Sequence, residues 1–147
     1  MPPRSKHKLV GWKEIVHFPE WGIYGVTAKM DTGARRSAID VRKIEELSKG
    51  RIRFQLALEK EKKLPFITAA IRHQTHVRSS NGHTQERYFI ETVLQIGEIE
   101  KTVQFSLVNR TSMSCRVLIG RRALAPELLV DSQSTFLLGK NSPSLRS

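Results

Sequence analysis

The chain has 147 residues, 39% of them hydrophobic, and carries 25 Lys and Arg against 14 Asp and Glu, a formal charge of +11. That length encloses one hydrophobic core and excludes two sizeable ones, and a single cysteine, Cys115, excludes an intrachain disulfide framework. No apolar run reaches the length of a membrane-spanning helix, so no membrane partner is expected, and the positive field attracts polyanions such as nucleic acid or acidic protein segments.

In chain order, residues 1–8 (MPPRSKHK) are basic, polar and proline-containing, and read as a loose arm. No apolar stretch follows them, so a secretory signal is not expected and the cytoplasm is the expected address. Residues 23–30 mix apolar and β-forming side chains and end at the turn Asp31-Thr32-Gly33. Residues 41–47 (VRKIEEL) suit two helical turns, and 51–58 (RIRFQLAL) alternate as a half-buried strand does. A charged turn is expected at 59–63. Two further strands, 66–77 and 86–96, flank the hairpin signal Asn81-Gly82. Residues 101–108 alternate again, 116–119 form a short apolar run ending at Gly120, and 121–124 suit one or two helical turns. The tail from 140 onward (KNSPSLRS) reads as a second loose arm, leaving 9–139 as the domain. Strands at this spacing, with turn chemistry between them, predict a mainly β fold, a barrel or sandwich with one or two short helices.

The residues that carry chemistry are Ala28-Lys29-Met30-Asp31-Thr32-Gly33-Ala34. An apolar strand delivers an aspartate to its end, where a turn begins at once. Gly33 has no Cβ and lets backbone or substrate approach closely, and the Thr32 hydroxyl can tie one loop to a partner. Asp31 becomes an acid–base group when a second carboxylate sits about 3 Å away, because two such groups cannot both ionise and so share a proton. An Asp-Thr-Gly triplet alone also fits an aspartate opening an ordinary tight turn.

A second element appears far downstream: Val117-Leu118-Ile119-Gly120-Arg121-Arg122-Ala123-Leu124, an apolar run, a glycine and a basic residue opening a short helix. With both elements in this order, the sequence resembles retropepsins, in which the later strand crosses the aspartate loop and holds it rigid. More of the chain matches a bacterial family labelled ATP-dependent zinc protease, whose fold is retropepsin-like. The matching stretches include Val10-Gly11-Trp12, Pro19-Glu20, Ser79-Ser80-Asn81-Gly82, Ile90-Glu91-Thr92, Asn109-Arg110 and Leu137-Leu138-Gly139. The resemblance implies a closed acid-protease β-barrel with Asp31, Thr32 and Gly33 as the catalytic triplet. It also implies support of that triplet from Ile119, Gly120 and Arg121, and a substrate cleft bordered by Ala34, Arg35 and Arg36. The Asn81-Gly82 turn is a candidate flap over the substrate, or an ordinary hairpin turn.

One triplet in so short a chain supplies one aspartate, so the resemblance implies a homodimer whose two-fold axis runs through the site. Its substrate would be protein or peptide. Relatives of this kind often accompany ATP-grasp ligases that append glutamates to proteins, and a basic cleft acting on acidic tails is consistent with that neighbourhood. The family label names zinc and ATP, but the residues support neither, and no cofactor or metal is expected. There is no His-Glu-x-x-His helix and no Walker loop, and His73 and His76, three apart in an expected strand, point to opposite faces. Retroviral enzymes carry acidic residues where Arg35 and Arg36 stand here, and one of those acids pairs with the arginine that aligns with Arg121. Arg121 therefore needs another partner, for which Asp40 and Asp131 are the candidates. The alternative function is a non-catalytic basic module for nucleic acid or an acidic protein. Nucleic acid is less favoured, because basic strand faces here lack the interleaved aromatics on which single strands stack.

Overall fold

The computed structural model describes residues 7–58, 64–78, 81–109 and 115–139. The expected arms, the charged turn at 59–63 and Ser79-Ser80 fall wholly or mostly outside them. Among the described residues ten strands follow in chain order: β1 Lys8–Phe18, β2 Ile23–Met30, β3 Ser37–Leu47, β4 Arg51–Leu56, β5 Phe66–Ala70, β6 His73–Arg78, β7 Thr84–Ile96, β8 Ile99–Val108, β9 Val117–Ile119 and β10 Leu128–Thr135. One α-helix of a single turn, α1 Arg121–Leu124, lies between the last two strands. The fold is mainly β, as expected.

The strands pair in the order β10-β1-β2-β9-β3-β8-β7-β6, and a further pairing of His17 with Gln95 joins β1 to β7. The six strands from β1 round to β7 thus form a ring. Alternation fills it from all sides. Val16 and Phe18 of β1, Val26, Ala28 and Met30 of β2, Leu94 and Ile96 of β7, and Val103, Phe105 and Leu107 of β8 are buried in one apolar cluster. Burying a side chain of this kind stabilises the fold by roughly 1.5–3 kcal/mol, so the ring is held by its filling as well as by its ladders.

Residues 41–47 are strand, which corrects the helical expectation. The apolar positions 41, 44 and 47 do have helical spacing, but Lys43 takes a left-handed backbone (φ 54°) and the pairing with β4 shifts register between Arg42 and Glu45. A bulge of this type changes the phase of the alternation and bends the strand. The first part of β3 therefore pairs with β8 and β9, while the second turns away to pair with β4, and β4 in turn with β5. The single run expected at 66–77 is also two strands, because Ile71 and Arg72 break it. The first piece joins β4 and the second joins β7.

Two buried carboxyl groups organise the ring. Glu14 on β1 is fully buried and accepts N–H bonds from Gly11, Leu137 and Leu138 at 2.6, 2.8 and 3.2 Å, fastening the segment after β10 back onto β1. Asp40 on β3, also fully buried, is paired with Arg42 and, at 2.8 Å, with Arg116. Such charge-assisted contacts are the strong class of hydrogen bond, and an acid without them would be costly inside the fold.

His17 is buried on β1, and its Nδ1 accepts the Gly25 N–H at 3.0 Å. Burial holds its pKa below the ordinary value of 6.5. The sign follows from linkage: the unfolded chain takes up a proton that the folded chain resists, so this histidine's contribution to stability is complete above pH 6.5 and shrinks on acidification. The expected slope is at most about 1.4 kcal/mol per pH unit. Thermal melts of wild type and His17→Asn between pH 7.5 and 5 should converge as the pH falls, since asparagine retains an acceptor without titrating.

Candidate active site

The aspartate loop is built where β2 ends. The short strand β9 lies between β2 and β3, parallel to the first and antiparallel to the second, with Met30 opposite Ile119. This register places the end of β9, Gly120 and α1 against the residues that follow Met30. The Asp31 N–H donates to the Ile119 carbonyl at 2.8 Å. Arg121 N–H donates to the Ala34 carbonyl at 2.7 Å, and Arg122 N–H to the Arg35 carbonyl at 3.2 Å. Gly120 N–H donates to Ser37 Oγ at 3.0 Å. Two segments distant in sequence are thereby stitched together residue by residue.

Gly120 is where they come closest. A Cβ at this position would lie 2.6 Å from both the carbonyl carbon and the oxygen of Arg36, a contact that real Cβ atoms do not make. Only glycine permits this crossing.

Arg121 bonds to neither of the acids proposed for it. Its Nη1 donates to the carbonyl oxygens of Thr32 and Gly33, each at 3.2 Å. Asp40 is instead committed to Arg42 and Arg116, and Asp131 accepts from Gln133 N–H and Ser134 Oγ at 2.9 and 2.8 Å, bonds that hold its pKa below the usual carboxylate range. The missing loop acid is thus replaced by backbone: the guanidinium caps the outward carbonyls of the turn.

Asp31 itself is half-buried, while Thr32 and Gly33 are exposed. Its Oδ1 accepts the Gly33 N–H at 3.0 Å, which fixes the carboxylate's rotation. That is the role Gly33 plays within one chain. A Cβ on it would crowd Oδ1 at 3.3 Å. The chemistry available is that of a rigidly mounted, half-buried carboxylate with one oxygen tied to its own loop.

Arg35 is exposed. Arg36 is half-buried, and its guanidinium lies over the Phe89 ring, 4.8 Å from the centroid. This stacking contact to β7 was not legible in the sequence. Asn81 and Gly82 form the turn between β6 and β7, beyond the Arg78–Thr84 pair, where Gly82 has φ 88° and the Asn81 side chain accepts the His83 N–H at 3.4 Å. The described part of the candidate flap thus lies in the connection of the β6–β7 hairpin, a placement that both readings of Asn81-Gly82 allow.

Among the described residues no three His, Cys, Asp or Glu side chains gather into a metal-holding group. His17 Nδ1 is taken by Gly25, and His73 is in ring contact with Phe89. No described helix is long and apolar enough to cross a membrane.

A family model described as RimB-like, retropepsin-like aspartic endopeptidase RimB, matches residues 9–141. The chain belongs to the RimB-like family. This agrees with the retropepsin resemblance carried by Asp31–Ala34 and residues 117–124. Among curated relatives, a "Probable alpha-L-glutamate ligase" of Shewanella pealeana is 31% identical over 137 residues, covering 90% of this RimB-like chain and 30% of the ligase. A protein of the same name from Desulfotalea psychrophila is 28% identical over 145 residues, covering 92% and 30%. The RimB-like chain thus spans under a third of the length of these relatives. Among solved structures, a protein of unknown function from Legionella pneumophila superposes with a TM-score of 0.74 at 21% identity, covering 88% of this chain and 97% of that one. It shares the RimB-like chain's fold.

Proposed function

We propose that this chain is one half of an aspartic endopeptidase, assembled when two copies bring their Asp31 carboxylates together. The observation that carries the reading is the aspartate loop: a half-buried Asp31 held from behind by β9, Gly120 and Arg121, with its outer face left to solvent. The sequence contains one such triplet, and in this proposal the second carboxylate comes from a second copy. Between them the pair shares one proton and holds a water. The ionised carboxylate takes a proton from that water as its oxygen attacks the peptide carbonyl carbon, and the protonated one gives its proton to the carbonyl oxygen. The C–N bond then breaks as the amine nitrogen receives a proton from one carboxyl group and the other carboxylate takes a proton from a hydroxyl of the tetrahedral gem-diol, leaving a carboxylic acid, an amine and a dyad that again shares one proton.

The substrate class in this proposal is a glutamate-rich protein tail in the cytoplasm. It is supported by the +11 charge and by relatives whose names state glutamate ligation. Those names also favour a second reading. The matched portion of each ligase is a minor part of it, and a basic module that only holds an acidic chain would suit such a setting.

The test pairs light scattering across concentration with hydrolysis of glutamate-rich and neutral peptides. The expected result is a particle of twice the 16.8 kDa chain mass that cuts the acidic peptide faster. A strict monomer that binds the acidic peptide without cutting it would hand the lead to the binding module.

A further inference from the structure

A cleft of about 240 Å³ opens where the aspartate loop passes into β3, lined among others by Arg36, Ser37, Glu91, Thr102, Gln104 and Arg122. Its two arginines are set by the same crossing that mounts Asp31: the Arg36 backbone lies against Gly120, and Arg122 N–H is bonded to the Arg35 carbonyl. Stacking on Phe89 fixes the plane of the Arg36 guanidinium while leaving its N–H edge unused by that contact. The one acid lining the cleft, Glu91, is engaged by Arg72 at 3.4 Å. Among the described residues neither Arg36 nor Arg122 has an ion-pair partner.

We propose that this cleft is a subsite for a substrate carboxylate, and that Arg36 and Arg122, rather than Arg35, are the residues that select acidic side chains. Guanidinium forks recognise carboxylates with directed, charge-assisted bonds, and the polar residues Ser37, Thr102 and Gln104 line the same cleft. The volume falls below the roughly 300–1,000 Å³ of pockets that enclose whole small ligands, which suits one side chain of a longer chain. Arg35, though nearer Asp31 in sequence, does not line the cleft. The assignment rests on the peptidase reading for its consequence in catalysis, but its binding step can be measured alone.

The experiment compares a glutamate peptide with its glutamine isostere in wild type, Arg36→Gln, Arg122→Gln and Arg51→Gln. The last removes the same charge from an exposed position on β4 that lies outside the cleft. Arg36→Gln and Arg122→Gln are each expected to lower kcat/KM for the glutamate peptide about 10- to 100-fold and to leave the glutamine peptide nearly unchanged, while Arg51→Gln changes neither. An equal loss on both peptides, or the same loss from Arg51→Gln, overturns the assignment. Titration of the glutamate peptide into Asp31→Asn protein, with and without Arg122→Gln, separates the two proposals. Binding that depends on Arg122 in a protein whose wild type cuts nothing upholds the cleft and sinks the peptidase. Binding indifferent to Arg122 sinks the cleft whatever is cut.

Discussion

Asp31→Asn is expected to abolish measurable peptide hydrolysis, a loss of about 10²- to 10⁴-fold, without lowering the thermal midpoint. The two halves of this expectation have separate causes. Asparagine cannot accept the water's proton or hold the shared one, and in the proposed dimer, where both copies come from one sequence, the substitution would empty the dyad of both carboxylates. The fold is spared because the carboxamide oxygen can still accept the Gly33 N–H, and because the loop is held through backbone groups, Asp31 N–H to Ile119 and the Thr32 and Gly33 carbonyls to Arg121. Paired activity and melting measurements check it. Hydrolysis that survives the substitution would remove Asp31 from the chemistry, and a collapse in stability would make its role structural.

Gly120→Ala is expected to do the opposite, damaging stability and activity together. The added methyl would meet Arg36 backbone at 2.6 Å with no flexible side chain to yield. Overpacking of this kind costs about 3 kcal/mol or more at a rigid backbone crossing, which for a chain of this size lowers the melting temperature by about 10 °C. Relief requires β9 and the aspartate loop to separate, and the bonds from Arg121 and Arg122 to the Ala34 and Arg35 carbonyls then lengthen. Asp31 loses its mounting at the same time. Alanine at Gly50, where no atom lies within 4 Å but φ is 68°, is the comparison: it should cost about 1 kcal/mol from backbone strain alone and leave hydrolysis intact. A Gly120→Ala protein that melts like wild type would show that the crossing can relax.

The site was more legible in the sequence than the frame around it. Asp31-Thr32-Gly33 and the run from Val117 to Leu124 are local patterns, and their pairing follows from a family resemblance that the RimB-like model bears out. Beyond local pattern, the sequence was silent or misleading. The helical spacing of Val41, Ile44 and Leu47 concealed a bulged strand, because one left-handed residue at Lys43 resets the alternation. Parallel pairing of β1 with β10 joins the two ends of the described chain, and β10 is too polar (LLVDSQST) to announce itself as a strand. A glutamate such as Glu14 looks like surface until the three backbone donors around it are known. The partner of Arg121 was sought among side chains, whereas the structure uses main-chain oxygen, for which no residue type is a marker.

That last choice bears on the conditions under which the loop keeps its shape. A carboxylate partner would take up a proton as the medium turned acidic and release its arginine. Carbonyl oxygens bind no proton at any pH a protein meets, so the cap that Arg121 places on Thr32 and Gly33 is indifferent to acidity. A dyad that shares a proton must change protonation state to work, and in the proposed dimer it would be mounted on a bracket that does not change with it.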